Sequence, residues 1–138
     1  MLVSNSTIAV RYAETDQMGV VYHGNYLVWL EIARTNLMEE LGLPYAQMEA
    51  AGVYSPVIDI HLSYKASMTY GQVATVKTWI GEYNGFRVTY RYEVFNEDGK
   101  LCVTADSTHV CVSKETFRPL RLSDRFPGLH QAYLEAQH

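Results

Sequence analysis

The stretch "TDQMGVVYHGNY", residues 15 to 26, holds one acid, two glycines, a histidine and an asparagine. Asp16 has no base beside it in sequence, but a carboxylate can attack an acyl carbon itself or take the proton from an attacking water. The apolar run that follows starts a helix near Gly24 or Asn25. The first N–H groups of a helix lack an intrahelical acceptor and carry partial positive charge. Amides there, such as those of His23 and Gly24, can hold the oxyanion that forms when a carbonyl is attacked. Gly19 and Gly24 let a ligand approach the backbone closely. An acid ahead of a helix end is a minimal acyl-transfer site. Acids also precede helices for purely structural reasons, and the residues alone leave both readings open.

Periodicity supplies the elements that must position these groups. Residues 7 to 14, "TIAVRYAE", alternate as a first strand. From Asn25 to Leu41 the apolar residues recur at helical spacing and cover more than a narrow stripe, which predicts a helix buried on several sides. Asn25 is the expected N-cap, and Gly42 with Pro44 beyond it the expected stop. A short second helix is expected through "YAQMEAAG". Residues 57 to 68, 72 to 83, 86 to 97 and 100 to 114 read as strands, clearest in "FRVTYRYEVF", where Phe86, Val88, Tyr90, Tyr92 and Val94 share a face. Turns fall at "YG", "NG" and "EDG". The tail, 121–138, suggests a loop and a short helix after a core of about 7–120. The whole predicts a single α+β domain over 1–138, with one long central helix wrapped by a curved five-stranded antiparallel sheet. A single small sheet leaves edges, so pairing with a second copy is expected.

Of 138 residues, 48% are hydrophobic and 19% charged, ordinary values for a globular protein. The formal net charge of −4 lacks the basic footprint of a nucleic-acid binder. "YLVWL" is far short of the ~20 apolar residues of a membrane span. No secretory signal is visible in "MLVSNSTIAV", and this, with Cys102 and Cys111 expected unpaired on opposite faces, predicts a cytoplasmic home. The histidines are scattered and no C-x-x-C occurs, so no metal site is expected.

The stretch "RYAETDQMGVVYHGNYLVWLEIAR" resembles the signature of hotdog-fold acyl-CoA thioesterases of the 4-hydroxybenzoyl-CoA thioesterase type, including the bacterial branch associated with the Tol–Pal cluster. That signature is an aromatic strand end, acid-x-x-Gly, two aliphatics, an aromatic-His pair, a small residue, Asn-Tyr and a helix. The resemblance extends through "GLPY" and the four strands to about residue 120. It implies a hotdog fold and hydrolysis of acyl-CoA thioesters, with Asp16 as nucleophile or general base. His23 falls where the family polarises the thioester carbonyl through a backbone N–H at the helix start, beside Gly24. Tyr22 and Asn25 correspond to residues that shape the loop around the substrate. The resemblance further implies sites at a dimer interface, a homodimer or a tetramer of paired dimers, and no metal or redox cofactor, with coenzyme A entering as part of the substrate. In some relatives the turn before the fourth strand is basic and grips the CoA phosphates. Here "GEYNGFRV" supplies only Arg87, leaving Lys65, Arg87 and Arg91 as candidates.

Two rivals remain. A hotdog hydratase or dehydratase would use a His base with an acid, which His23 and Asp16 superficially offer. A non-catalytic acyl-CoA-binding module would bind without turnover. Elsewhere plainer roles are expected: Glu14 at a solvent-facing strand end, Glu31 and Arg34 as a local ion pair, and His61 and His109 as hydrogen-bonded or exposed side chains at opposite ends of the sheet.

Overall fold

The computed structural model describes residues 2–137. Strand β1, Ser4–Ala9, leads through a 3-10 turn, Tyr12–Glu14, and a tight loop to a second 3-10 turn, His23–Asn25. That turn runs directly into helix α1, Tyr26–Glu40. Helix α2 (Tyr45–Ala50) follows, then strands β2 (Val53–Tyr54), β3 (Val57–Tyr64), β4 (Val73–Tyr83), β5 (Arg87–Phe95), β6 (Leu101–Val110) and β7 (Val112–Ser113). Helices α3 (Leu122–Arg125) and α4 (Pro127–Ala136) close the chain. Five strands form one antiparallel sheet in the order β1-β4-β5-β6-β3, and β2 with β7 forms a small ribbon. The expected α+β arrangement of one long helix on a five-stranded antiparallel sheet is the one adopted.

The alternation in β5 decides which face meets the helix. Val88, Tyr90, Tyr92 and Val94 are buried, while Arg87, Thr89, Arg91 and Glu93 take the other face. Against them α1 sets Trp29, Leu30, Ala33 and Leu37, all fully buried. Each large side chain so buried stabilises the fold by about 1.5–3 kcal/mol. Asn36 Nδ2 donates to Ser6 Oγ at 2.8 Å and Ser4 Oγ donates to Glu40 at 2.9 Å, fixing the helix along β1. Past Leu41 the helix stops at Gly42, whose φ of +94° suits a residue without a Cβ. The tail belongs to the same core. Tyr133 is buried, with its hydroxyl 2.9 Å from that of Tyr90, and the Tyr83 hydroxyl lies 2.6 Å from His130 Nδ1.

Several expectations need correction. The first strand is Ser4–Ala9 rather than 7 to 14, because the chain bends into the 3-10 turn that carries Glu14 under the helix. Asn25 has helical dihedrals and its side chain caps nothing in α1. Glu31 and Arg34 form no ion pair, since Arg34 Nη1 donates inward to the Tyr92 hydroxyl at 3.2 Å. His61 and His109 lie on the neighbouring strands β3 and β6, not at opposite ends. His109 is buried between Ser107 Oγ (3.0 Å) and the Ser55 carbonyl (3.2 Å). Burial, and then the Arg34 charge, push it down to about 4, so it is neutral at physiological pH. Both cysteines are free and buried, as expected of an unpaired set.

Helix α1 is covered on one broad side only: Leu27, Val28 and Ile32 are exposed. Strand β3 forms an edge of the sheet, and its Val57, Ile58, Ile60 and Tyr64 are exposed too.

Candidate active site

The loop holding Asp16 is a miniature hairpin. Thr15 and Val21 form an antiparallel bridge, the Asp16 amide donates to the Val20 carbonyl (2.9 Å), and the Gly19 amide returns to the Asp16 carbonyl (3.0 Å). Gly19 closes the turn at φ +79°, where a side chain would be strained. One Asp16 oxygen, Oδ1, accepts from the Met18 amide at 2.8 Å, which fixes the carboxylate in an Asx turn. Its Oδ2 has no partner among the described residues.

Glu14 is the anchor below this loop. It is 4% exposed, and a carboxylate that deep needs partners. The Trp29 indole N–H donates to Oε2 at 2.7 Å and the Arg11 amide to Oε1 at 2.9 Å, with the Arg11 guanidinium 3.5 Å away. Burial by itself pushes the Glu14 carboxyl up. The hydrogen bonds from Arg11 and Trp29 and the Arg11 charge more than offset it and leave the pKa below its usual value. The Glu14 carbonyl accepts from the Tyr22 amide (2.9 Å) and from Asn25 Nδ2 (2.8 Å). One residue therefore ties the strand end, the helix floor and the helix start together. The expected solvent-facing Glu14 is overturned. The available signal was Trp29, whose N–H needs an acceptor once its ring is packed inside.

At the helix start the Asn25 amide donates to the Tyr22 carbonyl at 2.9 Å. The amides of His23 and Gly24, in the first turn, have no acceptor among the described hydrogen bonds. The Tyr64 hydroxyl donates to the His23 carbonyl at 3.0 Å and so orients that peptide. The His23 imidazole makes no hydrogen bond to Asp16, and its ring packs on that of Tyr22 with centroids 4.3 Å apart. Tyr26 is buried; desolvation, then the nearby Cys102 and Tyr64, push its phenol up to about 12, so it is neutral at pH 7.

Asp16, His23 and Lys65 line one cleft of about 350 Å³, together with Met18, Tyr26 and Tyr64. Gly24 and Asn25 follow His23 in the same turn, and Tyr22 flanks it. Arg87 lies elsewhere, in a depression on the outer face of the sheet with Asp59, Glu82 and Thr89. Arg91 is engaged by Glu82 at 3.5 Å. Among the described residues no cluster of His, Cys, Asp and Glu suits a metal ion, and no helix is long and apolar enough to cross a membrane.

Residues 10–132 match the model of the family described as "Thioesterase-like superfamily". The chain belongs to that superfamily. "Putative acyl-CoA thioesterase YneP" of Bacillus subtilis (strain 168) is 53% identical over 137 residues, 99% of each chain. The crystal structure of "DHNA-CoA Thioesterase from Staphylococcus aureus" superposes with a TM-score of 0.95 at 46% identity, covering 98% of this chain and 91% of that one. The 4-hydroxybenzoyl-CoA thioesterase of Pseudomonas sp. (strain CBS-3) is 27% identical over 108 residues, 73% of this chain and 77% of its own. The expected hotdog thioesterase fold and thioester-hydrolase family thus hold for this member of the thioesterase-like superfamily.

Proposed function

We propose that the protein hydrolyses acyl-CoA thioesters in the cleft between the Asp16 loop and the start of α1. One observation carries the reading: the unpartnered Asp16 oxygen and the open helix-start residue His23 line the same cleft. A thioester carbonyl oxygen resting on the His23 and Gly24 amides meets donors that are already oriented and lie at the positive end of a helix. Asp16 then attacks the carbonyl carbon or takes the proton from an attacking water. The C–S bond breaks and CoA leaves as thiolate and is protonated; in the water route the acyl group departs directly as the free acid, and in the nucleophilic route water hydrolyses the mixed anhydride left on Asp16 to the free acid and the restored carboxylate. Asp16 as nucleophile and Asp16 as base are both compatible with this arrangement. The scheme is complete with a carboxylate, two amides and water. Tyr22 and Asn25 hold the loop against the helix start, and Lys65 at the cleft wall offers a cation to CoA. Arg87, on the outer sheet face beside two acids, is the weaker phosphate candidate. An acyl-CoA substrate also agrees with the names of the relatives, and placement in the Tol–Pal-associated branch and in the cytoplasm is part of the same reading.

The working unit in this proposal is a homodimer, or a pair of dimers, joined through β3. That strand is an eight-residue edge with exposed Val57, Ile58 and Ile60, and the exposed Leu27, Val28 and Ile32 of α1 add further uncovered apolar surface. A second copy covers both features and completes the sheet.

The test is release of free thiol from a panel of aliphatic and aromatic acyl-CoAs by the wild type and by Asp16→Asn. Asparagine retains an oxygen for the Met18 amide, so the turn persists while the reacting carboxylate is lost. Turnover is expected to fall by ~10²-fold or more. Near-normal activity of the variant would remove Asp16 from the chemistry. Binding with no release would instead indicate a binding module, and conversion of the acyl chain with the thioester intact a hydratase.

A further inference from the structure

Tyr64 stands at the end of β3, 41 residues along the chain from the helix start that it touches. Its backbone is held by β6: it pairs with Val103, and the Lys65 and Ala66 amides that follow donate to the Cys102 carbonyl at 2.8 and 3.1 Å. The ring rises from the helix side of the sheet and meets the rings of Tyr26 and His23, with centroids 5.8 and 6.3 Å away. At the end of this path its hydroxyl donates to the His23 carbonyl at 3.0 Å.

That bond acts on a whole peptide unit. The His23 carbonyl and the Gly24 N–H belong to one planar group. A hydrogen bond accepted by the carbonyl strengthens donation by the N–H across from it, by roughly 10–30%. The Gly24 amide is one of the two helix-start donors without an acceptor among the described hydrogen bonds. The other, that of His23, belongs to the preceding peptide, whose Tyr22 carbonyl accepts from the Asn25 amide at 2.9 Å. Both open donors therefore sit on peptides whose carbonyls are already engaged. The Tyr22 engagement is a local turn bond made by backbone alone. The His23 engagement depends on one phenol delivered by a distant strand.

We infer, on the thioesterase reading, that Tyr64 is a positioning residue for the hydrolysis: its hydroxyl aims the His23–Gly24 peptide into the cleft and polarises the Gly24 N–H toward the carbonyl oxygen of the substrate. Tyr64 lines the same cleft as Asp16 and His23, yet it acts through the amide rather than on the reacting atoms. Removing an oxyanion donor outright costs about 10²–10³-fold in kcat. Losing ~10–30% of its strength forfeits that share of two to three decades, or about 2- to 8-fold. The amide bond tightens as charge develops on the oxygen, so the loss falls on kcat and leaves KM within about 2-fold.

Two variants test the assignment. Tyr64→Phe keeps the ring and its packing and removes only the donor. Tyr64→3-fluorotyrosine keeps the shape and, at a pH where the phenol stays protonated, makes it a stronger donor. Thiol release gives kcat and KM, and amide NMR spectra of the protein without substrate give the shifts of Gly24 and His23. Tyr64→Phe is expected to lower kcat by the factor above at constant KM. It should also move the Gly24 amide proton upfield, while the His23 amide, on the neighbouring peptide, moves less. The fluorinated variant should shift both kcat and the Gly24 proton the opposite way, which a packing role would not do. An unmoved Gly24 amide, an unchanged kcat in Tyr64→Phe beside an active wild type, or a rise in KM with kcat intact overturns the assignment. If the wild type releases no thiol from any acyl-CoA, the hydrolase reading fails. The Gly24 shift in Tyr64→Phe then still upholds the link from the phenol to that amide, and its absence overturns it.

Discussion

Replacing Glu14 by glutamine tests the anchor under the Asp16 loop with almost no change of shape. In the wild type two donors, the Trp29 indole N–H at 2.7 Å and the Arg11 amide at 2.9 Å, each meet a carboxylate oxygen. Glutamine offers one oxygen and sets an NH₂ against the other donor. Leaving one buried donor unsatisfied costs about 1–3 kcal/mol. In a domain of this size each kcal/mol moves Tm by roughly 3–5 °C, so Glu14→Gln is expected to melt some 3–15 °C lower at pH 7. The sign of the pH dependence is fixed by the lowered pKa of Glu14. A carboxyl with a folded pKa below its unfolded value of 4.5 contributes stability above that value and loses it as the pH falls through the folded pKa. The Tm difference between wild type and variant is therefore greatest near neutrality and shrinks on acidification below pH 4.5, because every other titrating group is shared. Thermal melts at one fixed protein concentration, taken from pH 7 downwards, measure it. An unchanged Tm at pH 7, or a difference that does not shrink in acid, would show that the buried Glu14 carboxylate does not anchor the loop.

Asn25→Ala removes the bond from Nδ2 to the Glu14 carbonyl and is expected to cost about 0.5–1.5 kcal/mol by denaturant titration. It should lower kcat more than it raises KM, and an unaltered kcat would show that this bond does not position the helix start. The pair Ile58→Lys with Ile60→Lys charges the exposed β3 edge and should yield a monomer in sedimentation velocity together with loss of turnover. An active monomer would separate the site from the dimer. Burial pushes the Cys111 thiol up to about 11 and raises that of Cys102, so neither should react with a thiol reagent in native protein. Two thiols titrating only after denaturant is the expected result; a fast native thiol would contradict the burial.

The sheet and the long helix were legible because their signals are periodic. The alternation from Val88 to Val94 and the apolar repeat from Tyr26 to Met38 each determine a face whatever the surroundings. The Asp16 loop was legible in outline through Gly19 and the polar residues ahead of the helix. What escaped were charged residues that fold inward. Glu14 reads as solvent-facing because most glutamates are, and its burial depends on an indole 15 residues away. Arg34 sits three residues from Glu31, a spacing that suggests a surface pair, yet it turns to Tyr92, 58 residues along the chain. Asn25 carries the residue type of a cap but spends its side chain on Glu14. Such partners are chosen by tertiary packing, and local spacing holds no trace of them.

Strand β3 is the second strand of the sheet in the chain but takes the outer place in it, beside β6, which is made some forty residues later. A chain in the course of folding cannot dock β3 until β6 exists. Even then one side of β3 presents open N–H and C=O groups flanked by Val57, Ile58 and Ile60. The edge proposed to pair with an identical copy will also accept any other extended chain within reach. Refolding yield should therefore pass through an optimum in protein concentration. Very dilute chains leave the edge unmatched, crowded unfolded ones clump, and molecular chaperones that shield such edges would widen the range between.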